Sequence, residues 1–469
     1  MRVIDYNDVI FYTKHYLDPI GRLFEYDGRL FRVINNNKEQ YVRKLLMTDS
    51  VQKAMEEGVL VRTWIPEDVM MSDQSMVIEH ELISTVTFPY EWSFYMQIKA
   101  QKAILELNQL LLQDGYCLKD PHAYNIVFKG CLPVYVDFGS IVDVSDIFSA
   151  VKYYKEAWVN LYRLYRKRYI DAEVLEESLY KAQGIDDNRY YKLYFRGKLK
   201  LIGKTMNLWN RFFYKEYAQE HPRWTVLQHG LYTLLGDKKN YARKKYQRYE
   251  RELRKLQKCI QQKSTWGDYS DGYLDNDGNI VVTEKMKWYI SKIEKLGKLE
   301  SSLELAGNAG VYSQLFLQEQ LFDTCTVLDI DDRALNKGIK RTENNLHINS
   351  RINFVKKDIF SEIDNNSKSV DERLRADVVF AMAITHHLIL TQKLEMFAIV
   401  DKLYSLSNKY VIVEFCPLGL WSADSPEKIP EVPEWYTLDW FLKELERRFI
   451  ILEYEDVEHR VSIVCEKRK

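Results

Sequence analysis

The chain has 469 residues, 46% hydrophobic and 29% charged, with 67 Lys and Arg against 68 Asp and Glu. That length exceeds one ordinary core and predicts roughly two or three domains, and the near-neutral charge excludes a whole-protein field that would draw in nucleic acid. No apolar run reaches the roughly 18 to 20 residues that span a bilayer, and six scattered cysteines without a C-x-x-C pair argue against a zinc site and for a reducing cytosol.

The start, MRVIDYND, lacks the basic-then-apolar pattern of a signal peptide. In residues 1–145, "GRLFRVI" after the turn signal Asp27-Gly28 and the alternating "MVIEHELI" predict strands. "WSFYMQIKAQKAILELNQLLLQD" (92–114) has helical spacing and stops at Gly115. The loop "LKDPHAYNIVFKGCLPVYVDFGS" (118–140) then places Asp120 and Asn125 five apart and Asp137 twelve further on. That order matches the metal-binding residues of protein kinases. A G-x-G-x-x-G loop and a V-A-I-K strand are missing, and Lys119 stands where the kinase pattern has Arg. Lys44 is the best stand-in for the phosphate-pairing lysine, and Lys44 or Lys119 is expected to separate the two carboxylates of a small cavity.

Residues 146–263 read as a helical connector. Their many tyrosines fit amphipathic caps on helix packing, with a sugar-stacking surface as the alternative. From Lys238 to Lys263 eleven Lys and Arg face two Glu, with a thin apolar stripe of Leu253, Leu256 and Ile260. The expectation is a solvated helix joining two domains, the sharper alternative an anionic or membrane-surface contact.

From 264 to 469 helix and strand patterns alternate, which predicts βαβ units and a parallel sheet with its ligand at the carboxyl ends of the strands. "LELAGNAGVYS" is a strand–turn–helix with Gly307 and Gly310 in the turn and Ala306 and Asn308 where a stricter pattern has Gly. A ligand without phosphates tolerates that loss. Glu304, Asp329 and Asp358 end three successive strands. A carboxylate at the second can accept both ribose hydroxyls of an adenosine cofactor, and one at the third the adenine amino group; each alone also reads as a helix N-cap. His386 and His387 end the fourth strand, as a candidate general base or as a packed pair. Trp266 and Tyr269 are candidates to close over the cofactor, and "CPLGLW" with the Pro-rich "SADSPEKIPEVPEW" is a candidate lid.

With "TWGDY", "LELAGNAGVYS", "VLDID", "AMAITHHLIL", "IVEFCPLGLW" and "RVSIVCEK", residues 264–469 resemble class I S-adenosylmethionine-dependent methyltransferases. More narrowly they resemble a bacterial subfamily that includes nodulation-protein-type enzymes, which "YEW" and the 118–140 loop also resemble. The resemblance implies an α/β chain with a Rossmann-like methyltransferase domain, an N-terminal α+β kinase-like domain and S-adenosylmethionine as cofactor. It places Glu304, Ala306, Gly307, Asn308, Gly310, Asp329, Ile330, Asp358, Ile359, Ala381, Tyr269 and Trp266 against that cofactor. It further implies a hydroxyl or similar acceptor on a small molecule, glycan or glycolipid precursor, in the cytoplasm. A degenerate kinase-like site is expected, with Mg-ATP not favoured as a second cofactor and no metal assigned. The rival readings are a bifunctional kinase–methyltransferase, a nucleic-acid methyltransferase and a non-catalytic scaffold.

Overall fold

The computed structural model describes residues 2–12, 20–194, 238–260, 263–360, 369–421, 427 and 430–469. Parts of the expected helical stretch (195–237) and of the Pro-rich lid (422–426, 428–429) lie outside the described residues.

Strands β1 (Gly21–Tyr26), β2 (Arg29–Ile34), β3 (Thr63–Trp64) and β4 (Val77–His80) form an antiparallel sheet in the order β1-β2-β4-β3. Asp27 and Gly28, both with positive φ, make the turn between the first two. Helices α1 (Glu39–Leu46) and α2 (Asp49–Glu56) sit in the crossover from β2 to β3. Helix α3 (Phe94–Leu111) follows, with Ser93 accepting from the backbone N–H of Met96 as N-cap. It buries Met96, Ala100, Ala103, Leu107 and Leu111 along one face and further residues on the others, as a helix enclosed by neighbours must. The hairpin β5 (Ile126–Lys129) and β6 (Leu132–Tyr135) packs on it.

The basic helix α4 (Lys238–Leu256) departs from the expected solvated rod. Ala242, Tyr246, Tyr249, Leu253 and Leu256 are buried at helical spacing, Tyr246 donates to Asn108 Oδ1 of α3 at 3.3 Å, and Tyr249 stacks on Tyr154 at 5.5 Å. Its cations Arg243, Lys244 and Arg248 face outward. The tyrosines complete the apolar face that leucines alone leave thin, so tyrosine here packs helices. No helix among the described residues is long and apolar enough to cross a membrane.

The second sheet has seven strands. They are β7 (Ser301–Leu305), β8 (Thr324–Asp329), β9 (Ile352–Lys356), β10 (Ala376–Ala381), β11 (Ser407–Phe415), β12 (Phe449–Val457) and β13 (Arg460–Lys467), in the order β9-β8-β7-β10-β11-β13-β12. The first five run parallel, and β13 runs against both neighbours. Helices α5 (Val311–Gln318) and α6 (Asp332–Thr342) follow β7 and β8. The parallel strands are apolar nearly throughout because both faces are covered; all six residues of β10 are buried. The order reverses between β7 and β10, which opens a crevice at their carboxyl ends.

The two sheets' surroundings share one hydrophobic core. At the seam, Phe94 N–H at the start of α3 donates to Asp332 at 2.7 Å and Tyr95 N–H to Asn336 at 3.1 Å. Gly130 N–H, in the β5–β6 turn, donates to Asn353 at 3.1 Å. Glu91, fully buried, accepts from Arg373 at 2.6 Å, with Lys357 at 3.9 Å. Removing one member of a buried ion pair strands the other charge. Glu91→Ala is therefore expected to lower unfolding stability by about 3 to 5 kcal/mol, read from the urea midpoint; a loss below about 1 kcal/mol would show that water reaches Arg373.

Candidate functional site

The turn after β7 is built to bring backbone into the crevice. Ala306 (φ 51°), Asn308 (φ 52°) and Gly310 (φ 64°) are left-handed. A Cβ on Gly307 would stand 2.8 Å from Glu304 Cδ, so only glycine fits. Asp329, at the end of β8, accepts Asn308 N–H at 2.7 Å on one oxygen and Asp331 N–H at 2.8 Å on the other. Each oxygen keeps a further lone pair. Burial raises the Asp329 carboxyl above its ordinary range.

Glu304 lies beneath the turn, buried, accepting from the hydroxyl and N–H of Ser313. Burial, outweighing those hydrogen bonds, pushes its pKa up to about 7. Asp358 is exposed after β9 and accepts from Phe360 N–H at 3.0 Å. Ile330 projects at 63% exposure beside Asp329, whereas Ile359 and Ala381 are buried.

The "TWGDY" segment is fastened over this turn. Asn308 Oδ1 accepts from Ser270 at 2.7 Å, its Nδ2 donates to Trp266 O at 2.8 Å, and Trp266 N–H donates to Asp331 at 3.3 Å. Asp268 pairs with Arg333 and Lys337 of α6. Trp266 and Tyr269, each nearly half exposed, meet edge to face at 6.4 Å, and Trp266 stands 5.4 Å from the ring of His387. The crevice thus brings together Glu304, the 306–310 turn, Asp329, Trp266, Tyr269 and His387.

His386 and His387 have ring centroids 4.2 Å apart. His386 is buried, its Nδ1 has no hydrogen-bond partner among the described residues, and burial with the neighbouring His387 and Arg460 depresses its pKa to about 3. His387 is less enclosed, and burial and Arg460 depress it too. Both rings are neutral at pH 7.

Sequence reading gave no role to Glu414, the penultimate residue of β11. It is fully buried, pairs with Lys285 and with Arg460 Nη1 at 3.0 Å, accepts from Tyr289, and accepts Ala383 N–H at 2.9 Å. Burial would raise its pKa, but Lys285 and Arg460 hold it down to about 2. A charged residue inside an apolar strand run was the available signal.

In the N-terminal half, Asn125 Nδ2 donates to the carbonyl of Asp120 at 2.8 Å, and Tyr135 OH to the same oxygen at 2.9 Å. Asp137 is raised by burial, with Arg32 opposing and Asp120 reinforcing that shift. The cation that acts on Asp137 is Arg32 of β2, which is 5% exposed and donates to His80 Nε2 at 3.2 Å. Neither expected lysine takes this place: Lys44 and Lys119 are exposed. Arg32 was missed because its approach to Asp137 is made by tertiary folding across more than 100 residues.

The sheet order β9-β8-β7-β10-β11-β13-β12, with the penultimate position reversed, gives the C-terminal half a Rossmann-like, doubly wound α/β fold. No protein-family model matches the chain. It is 23% identical over 438 residues to "Nodulation protein NoeA" of Rhizobium meliloti (strain 1021), covering 85% of this chain and 83% of that protein. Among solved structures, magnesium protoporphyrin IX methyltransferase of Synechocystis PCC 6803 with bound SAM aligns at 14% identity and a TM-score of 0.29, over 40% of this chain and 79% of that one. An S-adenosylmethionine-dependent methyltransferase of Clostridium acetobutylicum ATCC 824 aligns at 11% and 0.31, over 44% and 96%.

The raised Glu304 carboxyl has a stability consequence with a definite sign. Its neutral form is favoured in the fold, so this contribution is complete below about pH 4.5 and is lost as pH rises toward 7. Relative to wild type, Glu304→Gln should gain up to about 3 kcal/mol between pH 4 and pH 8 in the ligand-free protein. Chemical denaturation at both pH values checks this, and parallel profiles would place the carboxyl in water.

Proposed function

We propose that the protein is a methyltransferase that uses S-adenosylmethionine and acts on an oxygen or similar nucleophile of a small-molecule, glycan or glycolipid-precursor acceptor in the cytoplasm. The observation that carries the reading is the joint placement of Asp329, the left-handed 306–310 turn and Glu304 at the strand-order reversal. These residues fit an adenosine-type cofactor with a cationic amino-acid end. Gly307 lets the backbone approach, Asp329 has lone pairs left for ribose hydroxyls, and the buried Glu304 carboxyl forms no salt bridge among the described residues, with Arg341 acting on it only weakly against burial, so a ligand ammonium could pair with it. Asp358, Ile330 and Ile359 line the adenine side in this reading, Ala381 the strand exit, and Trp266 and Tyr269 the cover.

When bound, the cofactor supplies an already activated methyl group. The protein's task is then alignment, water exclusion and care of the acceptor proton. His387, neutral and beside Trp266, is the candidate to receive that proton from a hydroxyl acceptor; His386 is too enclosed and too weakly basic, and positions its neighbour. The glycan-type acceptor is carried over from the resemblance to nodulation-type proteins.

The division into a kinase-like part (1–145), a helical connector (146–263) and a methyltransferase part (264–469) belongs to the same proposal. Supporting the kinase-like reading are the antiparallel sheet with two helices in its crossover, then α3, the Asp120–Asn125 loop, the β5–β6 hairpin and Asp137. Arg32 stands on the strand that in kinases carries the phosphate-pairing lysine. With a guanidinium already set toward Asp137, this site is read as degenerate, serving the acceptor side of the enzyme.

Asp329→Ala is expected to weaken S-adenosylmethionine binding by about 1.5 to 3 kcal/mol, measured by calorimetry on a folded variant; unchanged affinity would remove Asp329 from the site. Titration with Mg-ATP should leave the melting temperature where it is, and methyl transfer should proceed without nucleotide. A rise in melting temperature that vanishes in Asp137→Ala would instead make the chain bifunctional.

A further inference from the structure

We infer that the methyl acceptor is an anion whose carboxylate or phosphate group docks on the outward side of the Arg460 guanidinium; this rests on the methyltransferase reading above. Glu414 is a single carboxylate set between two cations, Lys285 and Arg460. Lys285 and Glu414 are sealed, with side chains 7% and 0% exposed, whereas the Arg460 side chain is 28% exposed. Glu414 is shared between the two cations, so the Arg460 charge is met only in part, and it is the charge that solvent and substrate can reach.

No nearby group among the described residues cancels it. His386 and His387 are neutral, and both feel Arg460. Glu458, two residues before Arg460, turns its carboxylate back toward Lys285 N–H at 3.4 Å. A bound sulfonium would add a second positive charge to the same crevice. An anionic acceptor would balance the added charge.

The shape agrees with the charge. A guanidinium carries five N–H donors in a planar fork suited to carboxylate and phosphate, and the contact with Glu414 is made through Nη1. Arg460 opens β13 directly after a turn in which Glu458 (φ 51°) and His459 (φ 64°) are both left-handed. Such turns normally take Asn or Gly; two larger residues held in that conformation mark a place where the following side chain's position matters.

The test uses the full chain saturated with S-adenosylhomocysteine, titrated calorimetrically with glucose 1-phosphate, glucuronate and neutral methyl glucoside. At least one anionic probe should bind while the neutral sugar does not. Arg460→Gln should weaken that binding by about tenfold or more, Arg460→Lys should restore it in part, and both should bind S-adenosylhomocysteine as wild type does. Should Arg460→Gln fail to fold, Arg460→Lys alone decides, because loss of the fork must still weaken the probe. Equal binding of charged and neutral sugars, equal binding in wild type and the Arg460 variants, or no anion binding up to about 10 mM overturns the inference. Failure of wild type to bind S-adenosylhomocysteine would overturn the methyltransferase reading itself.

Discussion

Three aspartates at the exit of one strand hold the structure's working parts in register. Asp329 accepts the backbone of the 306–310 turn, Asp331 caps its own helix and takes Trp266 N–H, and Asp332 caps α3 from the other half of the chain. Each bond answers a need of the backbone, since the first N–H groups of a helix and the N–H groups of a tight turn have no partner of their own. Because the three acceptors are consecutive or nearly so, the 306–310 turn, the Trp266 segment and helix α3 of the N-terminal half are all referred to one short stretch of main chain.

That arrangement explains what could be read from the sequence. The alternation of strands and helices from 284 onward was legible because parallel strands buried on both faces are nearly unbroken apolar runs. The strand-end carboxylates were legible because they sit at the border between an apolar run and a turn. The closing hairpin of β12 and β13 was less so, since half of β12 faces solvent. Helix α4 was misjudged for a chemical reason: Tyr246 and Tyr249 are counted as polar in a linear pattern, yet their rings bury against α3 and Tyr154. Arg32 was illegible for a different reason, because its role depends on the partners that folding brings to it, and Glu414 showed only as a charge inside an apolar run, its partners hidden in the same way.

The N-terminal half shows the same dependence on distant partners. Its carboxylates at 120 and 137 are spaced as in a metal-binding phosphotransfer site, but a guanidinium from β2 already acts on Asp137. Arg32 is itself enclosed, and burial lowers its pKa while Asp137 raises it. Arg32 meets the Asp137 charge only in part, since burial still keeps that carboxyl raised. In the C-terminal half the buried Glu304 likewise feels Arg341, and burial again outweighs it.

Backbone strain in the crevice follows from the buried carboxylates. Asn308 (φ 52°) and Ala383 (φ 54°) both adopt left-handed conformations that cost a residue with a Cβ roughly 1 kcal/mol or more. Each donates its N–H to a buried acid: Asn308 to Asp329 at 2.7 Å, Ala383 to Glu414 at 2.9 Å. A charge-assisted bond to a desolvated carboxylate is worth about 1.5 to 3 kcal/mol, enough to hold either conformation. The two acids therefore do more than carry charge, since they fix the main chain on both sides of the strand-order reversal. Replacing either by an apolar side chain of similar size would remove a buried charge and, with it, the bond that keeps the turn open to a ligand. The crevice exists because two costly features, a buried carboxylate and a left-handed backbone, offset each other at the same atoms.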